Sequence, residues 1–188
     1  MNVLIPETAY SENVIKMYEI NGPYPGFDTE LINKRIRFST ADAPIDVSCY
    51  MPCVIPANES PNYSMKKSIY LKIESWKKLS DLLEDPSINQ IGIFASGSYP
   101  EVDVLISRDL YPREQYTQAR GICGVTGNAP TIHTFSLSEF DIENPYPIVR
   151  RGSSDSATSD IAILQLVIYP NAHPGQFREM SINLVAST

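Results

Sequence analysis

The sequence predicts an all-β protein, a β-sandwich of about eight strands carrying one short helix. Three observations predict it. Apolar residues alternate with polar ones at a period of two along much of the chain. Proline is abundant, with 15 among 188 residues against 9 glycines, and it gathers between the alternating runs. A single stretch has helical spacing instead.

The first alternating run is Ile36 and Phe38, flanked by Arg35, Arg37 and Ser39. Ile45, Val47, Cys49 and Met51 then alternate with Asp46, Ser48 and Tyr50, and Ile69, Leu71 and Ile73 with Tyr70, Lys72 and Glu74. Val102, Val104 and Ile106 follow Pro100, and His133, Phe135 and Leu137 share one face of a strand. Met180, Ile182, Leu184 and Ala186 alternate with Glu179, Ser181, Asn183 and Val185. Such runs put one row of side chains on a core and the other toward water or a neighbour. Residues 90–96 and 161–169 are apolar on both faces, which predicts central strands covered on both sides.

Asn21-Gly22-Pro23, Pro25-Gly26, Asn58 to Asn62, Gly97 to Pro100, Gly127 to Pro130 and Pro170 to Gly175 read as turns. Proline has no N–H to give to a ladder, so many strands demand many prolines in connections. The helix is predicted over Ser75 to Asp85. Trp76, Leu79, Leu82 and Leu83 recur on one face, Ser75 can cap the start and Pro86 blocks continuation.

The length suits one domain. Residues 1–30 are expected as an extended N-terminal arm, followed by one folded domain over 31–188. Fifteen Lys and Arg against 22 Asp and Glu leave a net charge of −7, which argues against a stand-alone nucleic-acid binder. No apolar run approaches the roughly 18 residues of a membrane span, and the first residues lack a basic segment followed by an apolar one. No membrane partner is expected.

Catalytic groups are few, and no enzyme activity is expected. With two histidines, His133 and His173, and three cysteines, Cys49, Cys53 and Cys123, a zinc set is not assembled; the cysteines read as small buried hydrophobes. Glu101 and Asp103 lie on one strand face and read as a solvated pair. Glycines 121, 124 and 127 lack both the GK[ST] and the strand–helix setting of a phosphate loop. Asn58-Glu59-Ser60 and Asn62-Tyr63-Ser64 match the glycosylation sequon but read as polar loop. No catalytic, cofactor or metal residue is expected. Loop tyrosines beside proline and arginine suit protein contacts, so Tyr99, Tyr111, Tyr116 and Tyr146, with His133, Arg150 and Arg151, are the candidate subunit-interface residues.

The C-terminal half runs EVDVLISRDLYP, ICGVTGNAPTIHTFSLSEFDI, the Pro/Ser-rich ENPYPIVRRGSSDSATSD and IAILQLVIYPNAHPGQFREMSINLVAST. In element order and spacing over residues 30–188 it resembles the single-jelly-roll coat proteins of plant picorna-like viruses, the comovirus and cheravirus group. The resemblance implies an eight-stranded jelly roll of two four-stranded sheets. It implies assembly with other jelly-roll capsid subunits into an icosahedral shell enclosing single-stranded genomic RNA, and location in the virion and, during assembly, the host cytoplasm. Met1 would then be a polyprotein cleavage product or an initiator. Many coat proteins carry a basic arm; here residues 1–30 hold Lys16 alone against Glu7, Glu12, Glu19, Asp28 and Glu30, so RNA contact through this subunit is expected to be weak. The competing reading is a β-sandwich binding module, lectin-like or receptor-binding. A cupin-type enzyme would need a His-rich metal site.

Overall fold

The structure, a computed structural model, describes residues 2–21, 27–31, 36, 38, 59–64, 66–97, 101–108, 135–173 and 180–188. Along the chain run β1 (Asn2–Leu4), α1 (Glu7–Ser11), β2 (Ile15–Asn21), β3 (Phe27–Glu30), β4 (Asn62–Tyr63), β5 (Lys67–Ile73), α2 (Trp76–Leu82), β6 (Gln90–Ser96) and β7 (Val102–Arg108). There follow β8 (Phe135–Ser136), a 3-10 turn at Leu137–Glu139, β9 (Tyr146–Arg150), β10 (Ala157–Thr158), β11 (Ala162–Ile168) and β12 (Ser181–Ser187). The protein is predominantly β with few helices, consistent with the expected all-β sandwich.

Two antiparallel sheets form. One has the order β1-β12-β6-β9; the other runs β3-β2-β5-β11-β7-β8, with β10 added to β5 and β4 to β11. The longest ladders join β12 to β6, from Ser181↔Ser96 to Ser187↔Gln90, and β11 to β7, from Ala162↔Arg108 to Ile168↔Val102. The period-two rows meet between the sheets. Ile91, Ile93, Leu184 and Ala186 of the first sheet share one buried cluster with Ile15, Met17, Ile69, Leu71, Ile73, Val104, Ile106 and Leu164 of the second. β11 is buried on both faces, as its unbroken apolar run predicts: Leu164 faces the core while Ile163, Gln165 and Val167 on the opposite face are buried too.

Helix α2 follows its sequence. The Ser75 side chain accepts the Lys78 N–H at 3.1 Å, and Trp76 and Leu79 are fully buried in the shared core. The helix ends at Leu82, ahead of Pro86, with Glu84 in the left-handed region at φ 54°.

Several expectations need correction. The described residues contain more than eight strands and two α-helices rather than one. Residues 1–30 are not an extended arm ahead of the core. β1 pairs with β12 and β2 pairs with β5, so this segment contributes to both sheets and sends Ala9, Val14, Ile15 and Met17 into the core. The strand expected through His133, Phe135 and Leu137 is two residues long within the described chain before the 3-10 turn; Leu137 is buried and Phe135 exposed. Asn62 and Tyr63 form a strand on β11 instead of a loop, and Ser64 is fully buried, so this sequon does not lie on an open surface. The runs and cysteines at 45–53, Asn58, Cys123 and the glycines at 121–127 lie outside the described residues.

A charged pair occupies the core face where β2 meets β5. Glu19 stands opposite Ile69, and Lys67 is two residues along on the same face of β5. Lys67 Nζ donates to Glu19 Oε1 at 2.6 Å, with both side chains only 1% exposed.

In the four-stranded sheet Gly92 permits a close approach. A Cβ there would lie 2.8 Å from Pro145 Cβ and 2.9 Å from the Tyr146 carbonyl oxygen. Proline and glycine thus fit the 145–147 segment against β6, where Ile148 is the extra residue of a bulge opposite Ile91 and Gly92.

Candidate functional site

The described residues that the sequence marks for contact lie along β9 and just after it. Tyr146 starts this strand, opposite Ile93, and Arg150 ends it, opposite Gln90. β9 is the edge of its sheet, where prolines 145 and 147 are tolerated.

Tyr146 is not the exposed loop tyrosine expected. It is only 8% exposed, and its ring packs 5.9 Å from Phe135 and 5.2 Å from Phe140. Phe135 belongs to the edge strand β8 of the other sheet, so this aromatic cluster joins the two sheet edges. Two flanking prolines signal a loop, but an edge strand accepts them as well. Tyr99, Tyr111, Tyr116 and His133 lie outside the described residues.

Arg150 and Arg151 are exposed, as expected. Arg150 Nε donates to Gln90 Oε1 at 2.8 Å, and the Arg151 N–H donates to the Asn89 carbonyl at 2.6 Å. Beyond them the loop 152–156 is exposed throughout and fastened at its far end by Asp155. The Asp155 carboxylate accepts from Ser75 Oγ at 2.6 Å and from the Lys77 N–H at 2.9 Å, while its carbonyl accepts the Trp76 N–H at 2.7 Å. Two acceptors thus meet the free N–H groups of the first turn of α2. Both ends of this loop are held. Sequence reasoning finds Ser75 because a cap is local, and it misses Asp155, 80 residues away.

The Ser75 hydroxyl, then the Lys77 N–H, hold the Asp155 carboxyl below its usual range, with Arg151 and Lys77 adding to the effect. The folded value lies below the unfolded one, so this contribution is fully present above about pH 4 and is lost as pH falls through the folded value. Asp155→Asn is expected to lower Tm at neutral pH and to flatten the acid side of the Tm profile relative to wild type. Parallel profiles for the two proteins below pH 4 would refute that role.

A second exposed patch lies at the other edge of the four-stranded sheet. Asp141 accepts the N–H groups of Glu143 and Asn144, both at 2.8 Å, and tightens a turn. Asn2 Nδ2 of β1 donates to the carbonyls of Ile142 at 2.8 Å and Glu143 at 2.6 Å. Leu4, on the same strand face as Asn2, is 47% exposed, and Ile142 is 38% exposed. On the larger sheet Tyr18 and Tyr70 stack across β2 and β5 with centroids 5.0 Å apart, and Tyr70 donates to Asp28 at 2.9 Å. Burial, with the Asp28 carboxylate beside it, pushes the Tyr70 phenol up.

Asp103 is not the solvated strand carboxylate expected. Burial raises its pKa, opposed by hydrogen bonds from Ser136 and the Val104 N–H. Among the described residues no cluster of three His, Cys, Asp or Glu is placed to hold a metal ion. Among them, too, no helix is long and apolar enough to cross a membrane. Comparison with protein-family models, curated proteins and solved structures finds no match.

Proposed function

We propose that this chain is a structural coat protein, a jelly-roll sandwich that assembles with other jelly-roll capsid subunits into an icosahedral shell around single-stranded RNA. The observation that carries this reading is strand order. Set aside β2 and β3, which extend one sheet edge, and the two-residue β4 and β10. The other strands in chain order are β1, β5, β6, β7, β8, β9, β11 and β12. The first then pairs with the last, β5 with β11, β6 with β9, and β7 with β8.

Those are the pairs made by doubling a chain into one antiparallel ribbon. Rolling the ribbon brings β12 against β6 and β11 against β7, the two longest ladders. The resulting sheets β1-β12-β6-β9 and β5-β11-β7-β8, with α2 in the connection from second to third strand, support the jelly-roll reading. Jelly rolls serve viral coats, lectins and cupins alike. The coat reading is favoured by the resemblance of residues 30–188 in element spacing, and by surfaces suited to neighbours. Arg150, Arg151 and the held loop 152–156 lie at one place, and Leu4 with Ile142 at another. Such patches, repeated around symmetry axes, give a closed shell.

The test is to search the genomic neighbourhood for further β-sandwich domains and to co-express the chain with those found, followed by sedimentation and electron microscopy. Closed particles containing the chain are the expected result. A chain that stays monomeric beside those domains, or that has no such neighbours, overturns the proposal.

A further inference from the structure

We propose that Ser153 is a phosphorylation site for a basophilic serine kinase. The carrying observation is the juxtaposition, on one exposed loop, of two guanidinium groups and an accessible serine in the order Arg150-Arg151-Gly152-Ser153. A kinase that selects basic substrates presents carboxylates to arginines two and three residues before the acceptor. The planar guanidinium pairs with each in bidentate fashion, which lysine cannot do.

Sequence alone makes this a short motif; the structure makes it reachable. A substrate segment must lie extended in the kinase cleft, so a buried copy is inert. Residues 150–156 are exposed without interruption. Arg150 ends an edge strand, paired on one side to β6. A Cβ built on Gly152 meets nothing within 4 Å, so the backbone just before the acceptor stands clear of the protein.

The three serines of the loop also differ. Ser154 and Ser156 are paired, hydroxyl to hydroxyl at 3.4 Å, and Ser154 Oγ accepts the Ser156 N–H at 3.3 Å. The Ser153 hydroxyl has no partner among the described residues. Asn89 and α2 hold the loop at Arg151 and Asp155, so the unpinned part is Gly152 to Ser154. To engage a kinase, Arg150 must give up one exposed hydrogen bond to Gln90, which water replaces.

In the transfer, Ser153 Oγ attacks the γ-phosphorus of Mg-ATP in line, and the bond to the β–γ bridging oxygen breaks. ADP leaves with that electron pair, and the hydroxyl proton passes to the kinase's catalytic carboxylate. The product carries roughly −1.5 to −2 charge at pH 7, beside Arg151 and two residues from the Asp155 carboxylate. It cancels the positive patch of Arg150 and Arg151. The transfer acts on the free subunit and stands whether or not the chain is a coat protein; that the modification opposes assembly rests on the coat reading.

The experiment uses the folded full chain with the catalytic subunit of cyclic-AMP-dependent protein kinase and Mg-ATP, read by intact mass and tandem mass spectrometry. One phosphate at Ser153 is expected, absent in Ser153→Ala. Arg150→Ala and Arg151→Ala, each checked for native circular dichroism, are expected to lower kcat/KM at least about tenfold. Transfer to Ser154 or Ser156, equal rates in the arginine variants, or no incorporation into the folded chain overturns the proposal. Modification of the urea-unfolded chain alone also overturns it, because the fold would then be what hides the serine.

Discussion

Replacing Lys67 with Met is expected to lower the unfolding free energy by about 3–5 kcal/mol, read from urea denaturation with an unchanged slope. Glu19 and Lys67 face the core between β2 and β5, 2.6 Å apart and 1% exposed each. Attraction between the charges offsets the cost of taking both out of water only while both are present. Methionine matches the lysine stem in shape and adapts to its neighbours, so lost packing contributes little and the carboxylate deprived of its cation contributes most. Glu19→Leu combined with Lys67→Met should recover most of the loss, because two apolar side chains replace a pair that had to be desolvated. A single-variant loss below about 1 kcal/mol, or no recovery in the double variant, would show that the pair does not govern how β2 seats on β5.

Trp76→Ala is the other large loss, again about 3–5 kcal/mol. The indole is fully buried at the first turn of α2, in the cluster that contains Leu79, Ile91 and Leu164. Alanine would lose its transfer free energy and leave a cavity that two paired sheets cannot close. Among the described residues the indole Nε1–H has no acceptor, so Trp76 is held by packing and not by that polar group. Trp76→Phe therefore removes an unmet donor along with part of the volume, and should stay within about 1.5 kcal/mol of wild type. Thermal and urea unfolding of both variants check this; equal losses for alanine and phenylalanine would assign the cost to the lost N–H instead.

Features carried by neighbours in the chain were legible in the sequence. Ser75, Trp76 and Leu79 mark α2 because a cap and an apolar face need only local spacing. The rows Ile69–Ile73 and Val102–Ile106 mark strands for the same reason. Residues 15–21 were harder to read. Ile15 and Met17 begin an apolar row, but Glu19 breaks it, and the cation that lets a carboxylate occupy the row is 48 residues away. The five acidic residues of 1–30 then looked like a solvated arm, although one of them is core.

At the candidate site, exposure of Arg150 and Arg151 was legible from charge. The burial of Tyr146 was not, since its partners Phe135 and Phe140 come from across the gap between two sheet edges. Nor was the tie between Asp155 and α2, a contact that closes a long loop.

By itself the sequence determined the class: a predominantly β chain, one amphipathic helix with its cap, and a central strand apolar on both faces. Period and capping are set by backbone geometry over a few residues, so they can be read in one dimension. Tertiary structure alone decided that residues 2–21 join both sheets, that Glu19 meets Lys67, and that the loop of Ser153 is fastened at both ends. Each of these depends on which strands become neighbours, and strand pairing is selected by the whole buried core rather than by any segment within it.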